Sequence, residues 1–559
     1  MRRPALAVFA GALAFLLPLL FSTVVMGTFW SPRFALLAVE AAVGLPVLVT
    51  LLRSDGRRAA VAALAFAAWA LVSFAWAPNR TLAFWGAFLW GTGALFVLAL
   101  VGCWAVGVAA GPRATAWVEK ALLVGAGANA VVAVLQTTTD LSSFQLWRVD
   151  GRSSGFWGNP VYLSGFLLGA VWLVVPRLRA RPAAWGPFTV LLAAALQVAG
   201  GRFAAALLAA AVAGAWRVAG GRTAALLAVC LGAGLLLGAG LALQHGGVSV
   251  ASRASVASAT GVRPRLESWL SARHAIAERP LLGHGPGRYR GATGPFRTMR
   301  LARDEGPDRL YADAHNLVVE YGVTTGLPGL GLLLAWLGLA IRRAGWRAPL
   351  AGFALLVLAM HLLEPQNVGL TPLALLALGA AAPLAAPPAA RLPSGLRAVV
   401  IAAGVALAGV ILLGTYRFEQ ARLDFRLADA RQARELLPPW PEVRDQTARI
   451  YSFRGKSERD TALLARARRW RGAAARADPD DPSWWNDLAE AELNAKLLPA
   501  ATRHFGEALR RNPWSARAMN GLGRIALVEG HRSRAQSLFR RSLRADSDQR
   551  AIRQMLAGG

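Results

Sequence analysis

The sequence predicts an all-α protein: a polytopic transmembrane helix bundle of about 12-13 helices, with a large external loop inserted late in the bundle and a C-terminal α-helical domain of tetratricopeptide-like repeats. Three observations carry this reading. Hydrophobic residues make up 55% of the 559-residue chain, which includes 20 tryptophans, too apolar a composition for a soluble enzyme of this length. Apolar runs of spanning length recur up to residue 415, separated by short Arg, Pro or Gly punctuation. Beyond residue 416 the composition turns charged and Ala-rich, and apolar positions recur at a fixed offset.

The runs fall at roughly 5–25, 34–52, 59–77, 82–108, 115–136, 161–176, 184–200, 203–218, 223–243, 316–341, 348–363, 369–388 and 397–415. The first follows Arg2 and Arg3 as a signal peptide would, but it is long enough to span and further spans follow, so it reads as a membrane helix. The pair at 184–200 and 203–218 reads as two spans, one hairpin or a re-entrant pair. With a cytoplasmic N-terminus, alternate short loops hold sixteen arginines inside, Arg2 and Arg391 among them, against five outside: Arg33, Arg80, Arg148, Arg152 and Arg202. That bias supports the orientation and puts both the long loop and everything after Thr415 outside. The expected divisions are 1–243 and 316–415 for the membrane helices, 244–315 for the external loop and 416–559 for the C-terminal domain.

The net charge of +30 is almost wholly arginine spread over many short loops, which together with the lack of a recognition motif argues against a nucleic-acid partner. The two cysteines, Cys103 and Cys230, lie inside apolar runs and supply neither a disulfide framework nor a metal site.

In the external loop, Arg265-Leu-Glu-Ser-Trp269-Leu-Ser-Ala-Arg273 through Glu278 carries apolar residues at 266, 269, 270, 276 and 277 and predicts an amphipathic helix on the membrane surface or on the bundle. The segment Arg279-Pro-Leu-Leu-Gly283-His-Gly285-Pro-Gly287 breaks it. Irregular polar chain then leads to Ala314-His315-Asn316, where a hydrophobic helix begins. The repeat lies in the tail: Leu488-Ala489, Ala501, Phe505 and Ala508 return as Leu522-Gly523, Ala535, Phe539 and Ser542, offset by 34 residues, with a weaker earlier copy at Ala467, Ala474 and Pro479. That is the tetratricopeptide period, and such stacked helix pairs offer a groove for a protein partner, or act as a cap on the last membrane helix.

Arg80, Arg152, Arg202, Arg265 and His315 share the external side in this topology. Guanidinium groups grip phosphate oxygens in a fork, which suits a lipid diphosphate, although a single arginine at such a boundary equally reaches lipid headgroups. Histidine suits proton transfer near neutral pH, and the pairing of a base with clustered cations serves the two ends of a glycosyl transfer. His284 lies in the same loop and competes with His315 for the role of base; the acidic Asp304, Glu305, Asp308 and Asp313 offer a divalent metal site only if they converge. Glu40 and Glu364 stand apart as acids interrupting apolar sequence.

The residues Arg265-x3-Trp269, Pro280-Leu-Leu-Gly283-x-Gly285-x-Gly287 and Ala314-His315-Asn316-x3-Glu320-x-Gly322, with Gly326 and Gly329 after them, resemble the signature region of the O-antigen ligase and Wzy-type polymerase superfamily. Gly151-Arg152-x2-Gly155-x3-Asn159-Pro160 and Gly201-Arg202 resemble upstream segments of that family, with Gly201 standing where a serine is common. The resemblance implies a multi-pass glycosyltransferase of the bacterial inner membrane that uses an undecaprenyl-diphosphate-linked glycan and needs neither metal nor cofactor. By that resemblance Arg152, Arg202 and Arg265, joined by Arg80, are expected to hold the donor diphosphate, and His315 to assist acceptor attack, with Asn316, Glu320 and Trp269 in support. Lipid A-core is the first expected acceptor, a growing glycan chain the second and protein Ser/Thr the third. A transporter or a repeat scaffold is the non-enzyme alternative, and broken helices at mid-membrane would favour transport.

Overall fold

The computed structural model describes residues 3–248, 250, 261–385 and 393–557. Arg2 and Arg391 of the charge count, and residues 249 and 251–260 of the long loop, lie outside the described residues.

The first half of the chain forms α1 (Arg3–Leu19), α2 (Ser31–Leu51), α3 (Arg57–Ala75), α4 (Arg80–Trp85), α5 (Ala94–Ala109), α6 (Pro112–Thr138), α7 (Pro160–Ala180), α8 (Pro182–Ala199), α9 (Arg202–Ala219) and α10 (Gly221–Gln244). The loop contributes α11 (Arg263–Glu278), α12 (Tyr289–Thr293) and α13 (Met299–Glu305). The chain returns through α14 (Leu317–Ala344), α15 (Pro349–Met360), α16 (Leu370–Ala380) and α17 (Ser394–Asp424). Among the described residues, α2, α3, α6–α10, α14 and α17 are long and apolar enough to cross a membrane, and α1, α5, α15 and α16 are shorter apolar helices. They stand where the thirteen apolar runs were read, and the protein is a multi-pass all-helical bundle. The 184–200 and 203–218 runs are two separate helices turned at Gly200 (φ +66°). The 82–108 run is split: α4 stops at Gly86 (φ +80°), where a β-carbon would strike the backbone of Gly91 and Thr92.

The long helix α14 is broken inside the bundle. Gly326 has φ +72°, and Pro328 has no N–H to offer the Thr324 carbonyl. In a hydrocarbon environment each freed backbone group needs another partner. The glycine-rich loop supplies them: His284 N–H donates to Val323 O (3.0 Å), Gly285 N–H to Thr324 O (2.9 Å), and Leu327 N–H to Pro280 O (2.8 Å). From α3, the Ser73 hydroxyl donates to Leu282 O and Thr324 O (2.6 and 2.9 Å), and Trp69 Nε1 donates to Thr325 O (2.9 Å). The break thus fastens the long loop to two helices.

The loop is more regular than expected, since α12 and α13 fill what reads as irregular chain. The amphipathic helix is present as α11, but its buried face is Pro264, Glu267, Ser268, Ser271, Ala272 and Ala275, while Leu266 and Leu270 are exposed. The polar residues go inside because each finds a partner: Glu267 accepts from the Thr298 hydroxyl (2.8 Å), and the Ser268 and Tyr289 hydroxyls meet at 2.8 Å.

The tail continues as α18 (Leu427–Leu436), α19 (Pro441–Ser457), α20 (Thr461–Ala477), α21 (Pro482–Asn494), α22 (Leu498–Arg511), α23 (Ala516–Val528), α24 (Arg532–Ala545) and α25 (Arg550–Ala557). The hairpins α21–α22 and α23–α24 start 34 residues apart, and their repeated Ala501, Phe505, Ala535 and Phe539 are fully buried. One face of these hairpins is occupied by the chain's own loop. Arg288 pairs with Asp478 and Asp480, Arg290 with Asp481 (2.7 Å), Trp514 Nε1 donates to Arg297 O (3.0 Å), and Asp308 accepts from Ser515 and from Arg517 N–H. Before α19, buried Trp440 donates to Gly86 O (2.9 Å) and packs against Trp30, Phe34 and Phe88.

Replacing Gly326 by Ala forces a side chain into the left-handed region, a cost of about 1–3 kcal/mol, and drives its β-carbon into Leu281 O. The variant should melt at a clearly lower temperature in detergent by tryptophan fluorescence, whereas Gly331→Ala in the same helix, where a β-carbon meets open space, should not.

Candidate active site

His315 sits between the loop and α14, in a backbone held from every side. Asn316 caps α14: its Oδ1 accepts from Val318 and Val319 N–H (2.8 and 3.0 Å), and its Nδ2 donates to Leu362 O (3.0 Å). Leu317 N–H donates to His361 O (2.7 Å). On the other side, the Ala314 N–H donates to Glu320 Oε2 (2.9 Å) and its carbonyl accepts from Trp269 Nε1 (2.8 Å). These contacts hold His315 at φ +50°, a conformation that histidine tolerates better than most residues but that still requires support.

The imidazole Nδ1 lies 2.9 Å from Asp313 Oδ1, which also accepts from the His315 N–H (2.7 Å), and the Tyr311 ring meets it edge-on at 5.1 Å. With Nδ1 committed to the carboxylate, Nε2 is the nitrogen left to accept a proton. Burial works against the imidazolium, but the charge and hydrogen bond of Asp313, with help from Glu364, outweigh burial and nearby Arg265, so His315 is held above its ordinary value.

Arg265, in the first turn of α11, binds Glu364 through Nη2 at 2.8 Å. Glu364 comes from the turn between α15 and α16 and also feels His315, Arg152 and Asp313. Arg152 closes a tight turn whose central residues Asp150 (φ +50°) and Gly151 (φ +73°) are both left-handed, and Val149 and Arg152 exchange both backbone bonds (2.8 and 3.0 Å). Ser153 N–H to Val198 O and Val248 N–H to Gly151 O tie this turn to the ends of α8 and α10. From α6, Gln136 Oε1 accepts from Ser154 and Gly155 N–H, and Asn129 Oδ1 from Phe156 N–H. Arg202 opens α9, lies against Gly261 at the approach to α11, and repels Arg152. A β-carbon on Gly201 would collide with the Ser164 side chain, so a serine at this position would clash here.

Arg152, Arg202, Arg265, His315, Asp313 and Glu364 therefore form one electrostatic neighbourhood in which cations outnumber carboxylates, an arrangement suited to an anion. Arg80 does not join it: Arg80 is exposed at the start of α4 and borders a cavity of about 500 Å³ with Arg444 and Arg476 of the tail. His284 does not compete as a base, because it is buried with Nε2 on Ala275 O (2.9 Å), and burial lowers its affinity for a proton. The four acids take separate partners: Asp304 faces Arg263, Glu305 faces Arg309, Asp308 faces Ser515, and Asp313 faces His315. Among the described residues no three His, Cys, Asp or Glu side chains converge on a metal position. Sequence reasoning did not identify Asp313 and Glu364 as partners; the available signals were an acid two residues before the histidine and an acid beside Pro365 in an apolar run.

Asn316→Ala removes a cap, a loss of about 1–2 kcal/mol, and frees Leu362 O as well. Asn316→Asp keeps the cap but loses the Leu362 bond, so thermal unfolding should rank wild type above Asp and Asp above Ala.

Residues 187–334 match the family described as O-antigen ligase. No curated protein matches the chain at a significant level. Among solved structures, one described as a functional characterization of Pseudomonas aeruginosa pilF aligns at 20% identity over 27% of this chain and 67% of its own, with a TM-score of 0.23. The APC/C hetero-tetramer Cut9-Hcn1 aligns at 12% identity over 94% of this chain and 89% of its own, with a TM-score of 0.22. Scores so low carry no structural argument. The family match takes in Arg202, Arg265, His315, Asn316 and Glu320, so over residues 187–334, which carry most of the site, the chain is similar to the O-antigen ligase family.

Proposed function

We propose that the protein is a glycosyltransferase that moves a glycan from undecaprenyl diphosphate to an acceptor hydroxyl, lipid A-core in the first instance, on the periplasmic face of the bacterial inner membrane. The observation that carries this reading is the gathering of Arg152, Arg202 and Arg265 beside a histidine oriented by Asp313. In the proposed step the acceptor oxygen attacks the anomeric carbon and its proton passes to His315 Nε2. The bond from the anomeric carbon to the diphosphate oxygen breaks, with inversion at that carbon, and undecaprenyl diphosphate leaves with its charge on the guanidiniums. No metal or nucleotide sugar enters the step.

The remaining residues act on these two ends. Glu364 orients Arg265, and Trp269, Glu320 and Asn316 fix the backbone on which His315 stands. The tetratricopeptide-like tail holds the 288–310 segment of the loop and leaves its outer face for a protein partner. The broken helix α14 would suit a transporter, but its freed groups are taken up by the protein's own loop, which favours a rigid support for the site.

His315→Ala should abolish transfer and leave lipid-linked glycan to accumulate, and Arg202→Lys should also fail because an ammonium lacks the guanidinium fork. A base must be neutral to act, so the transfer rate should climb as pH rises through a His315 midpoint above the ordinary 6.5. In Asp313→Asn the supporting charge is gone, burial and Arg265 prevail, and the acid limb of the pH profile should move to lower pH while kcat falls. An acid limb that stays in place would remove His315 as the base.

A further inference from the structure

A cavity of about 720 Å³ opens at the same end of the bundle, between the α1–α2 link, the α4–α5 link, the α6–α7 link, the α15–α16 turn and the end of α17. Phe29, Trp30, Trp90, Trp147, Trp157 and Tyr162 line it, an unusual density of flat aromatic surface. Between them stand the carboxamides of Gln145, Asn159, Gln366 and Asn367 and the ion pair of Glu419 and Arg422. Two lining indoles, Trp30 and Trp157, are 9% and 2% exposed and are fixed by the Phe34 and Phe166 rings and, for Trp157, by the Arg33 guanidinium stacked on it.

The cavity adjoins the reaction centre. Gln366 and Asn367 follow Glu364 in the same turn, and the Tyr162 hydroxyl lies within electrostatic reach of both Asp313 and Glu364. A hydrocarbon tail would desolvate the amide N–H groups of Asn159 and Gln366, whose oxygens alone are engaged among the described residues, by Val161 N–H and by the Tyr321 hydroxyl, an expensive arrangement. A pyranose chain offers what the walls lack: apolar C–H faces for the aromatic rings and hydroxyls for the amide groups. We infer that this cavity is a saccharide subsite, holding sugar residues of the transferred or the accepting glycan next to His315. The inference rests on the proposed glycosyl transfer and extends it to recognition of the sugars.

The test uses the full-length His315→Ala protein in nanodiscs, so that binding is measured without turnover. The probes are the free oligosaccharide released from the lipid-linked donor, the free oligosaccharide of the lipid A-core, and undecaprenyl diphosphate bearing no sugar. At least one oligosaccharide should bind, and which one does identifies the source. Trp147→Ala and Trp90→Ala should each weaken that binding about tenfold or more, with the affinity for undecaprenyl diphosphate unchanged. Failure of both oligosaccharides to bind, affinities equal in the tryptophan variants, or a loss confined to undecaprenyl diphosphate would overturn the subsite. Retained transfer by His315→Ala would instead defeat the catalytic reading and leave the binding result standing.

Discussion

A membrane helix that abandons its own hydrogen bonds must find donors for the carbonyls it frees, and this requirement organises the structure around α14. The left-handed Gly326 and the missing N–H of Pro328 open the helix at Val323–Thr325. The glycine-rich loop closes it again with the backbone of residues 280–285, and α3 contributes Ser73 and Trp69. The glycines of that loop are there for reach: at Gly283 (φ +65°) a β-carbon would lie 2.5 Å from the Thr324 backbone. Because α14 begins at the residue after Asn316, fixing its first half also fixes the platform of His315.

The same economy of polar groups separates structural arginines from the candidate ligand-binding ones. Arg33 is fully buried, but its guanidinium donates to the carbonyls of Leu17, Phe29 and Phe156 (2.8, 2.6 and 2.9 Å) and lies over the Trp157 ring. Each of its three nitrogens donates within the fold. Among the described residues Arg152 has only the largely exposed Asp150 at 3.6 Å as an ion-pair partner, and Arg265 commits one nitrogen to Glu364. Guanidiniums with spare donors, gathered beside an oriented imidazole, are the feature that a diphosphate would complete.

Much of this was legible in the chain. The apolar runs marked the helices because spanning length and interruption by charge are local properties. The 34-residue offset set the register of the tail hairpins because each repeat buries the same small and aromatic positions. Arg202 and His315 stood out as polar residues at the edges of apolar runs, and Arg152 and Arg265 through the segments that resemble the ligase family. Arg80 looked identical by the first criterion, and only the direction of α4, which carries it toward Arg444 and Arg476, tells it apart. The buried polar face of α11 was not legible because hydrophobic spacing cannot see that Glu267 and Ser268 have partners on other segments. The seating of the tail on the loop, through Arg288 and Trp514, depends on contacts across roughly two hundred residues and left no local trace.

The central claim is that Arg152, Arg202, Arg265 and His315 form one site for a lipid diphosphate and its departing glycan. It is tested most directly by an electron cryomicroscopy structure of the full chain bound to a non-transferable undecaprenyl-diphosphate glycan analogue. The account predicts both phosphates among the three guanidiniums, with the anomeric carbon facing His315 Nε2. Phosphates bound at the Arg80, Arg444 and Arg476 seam, with the His315 pocket empty, would contradict it.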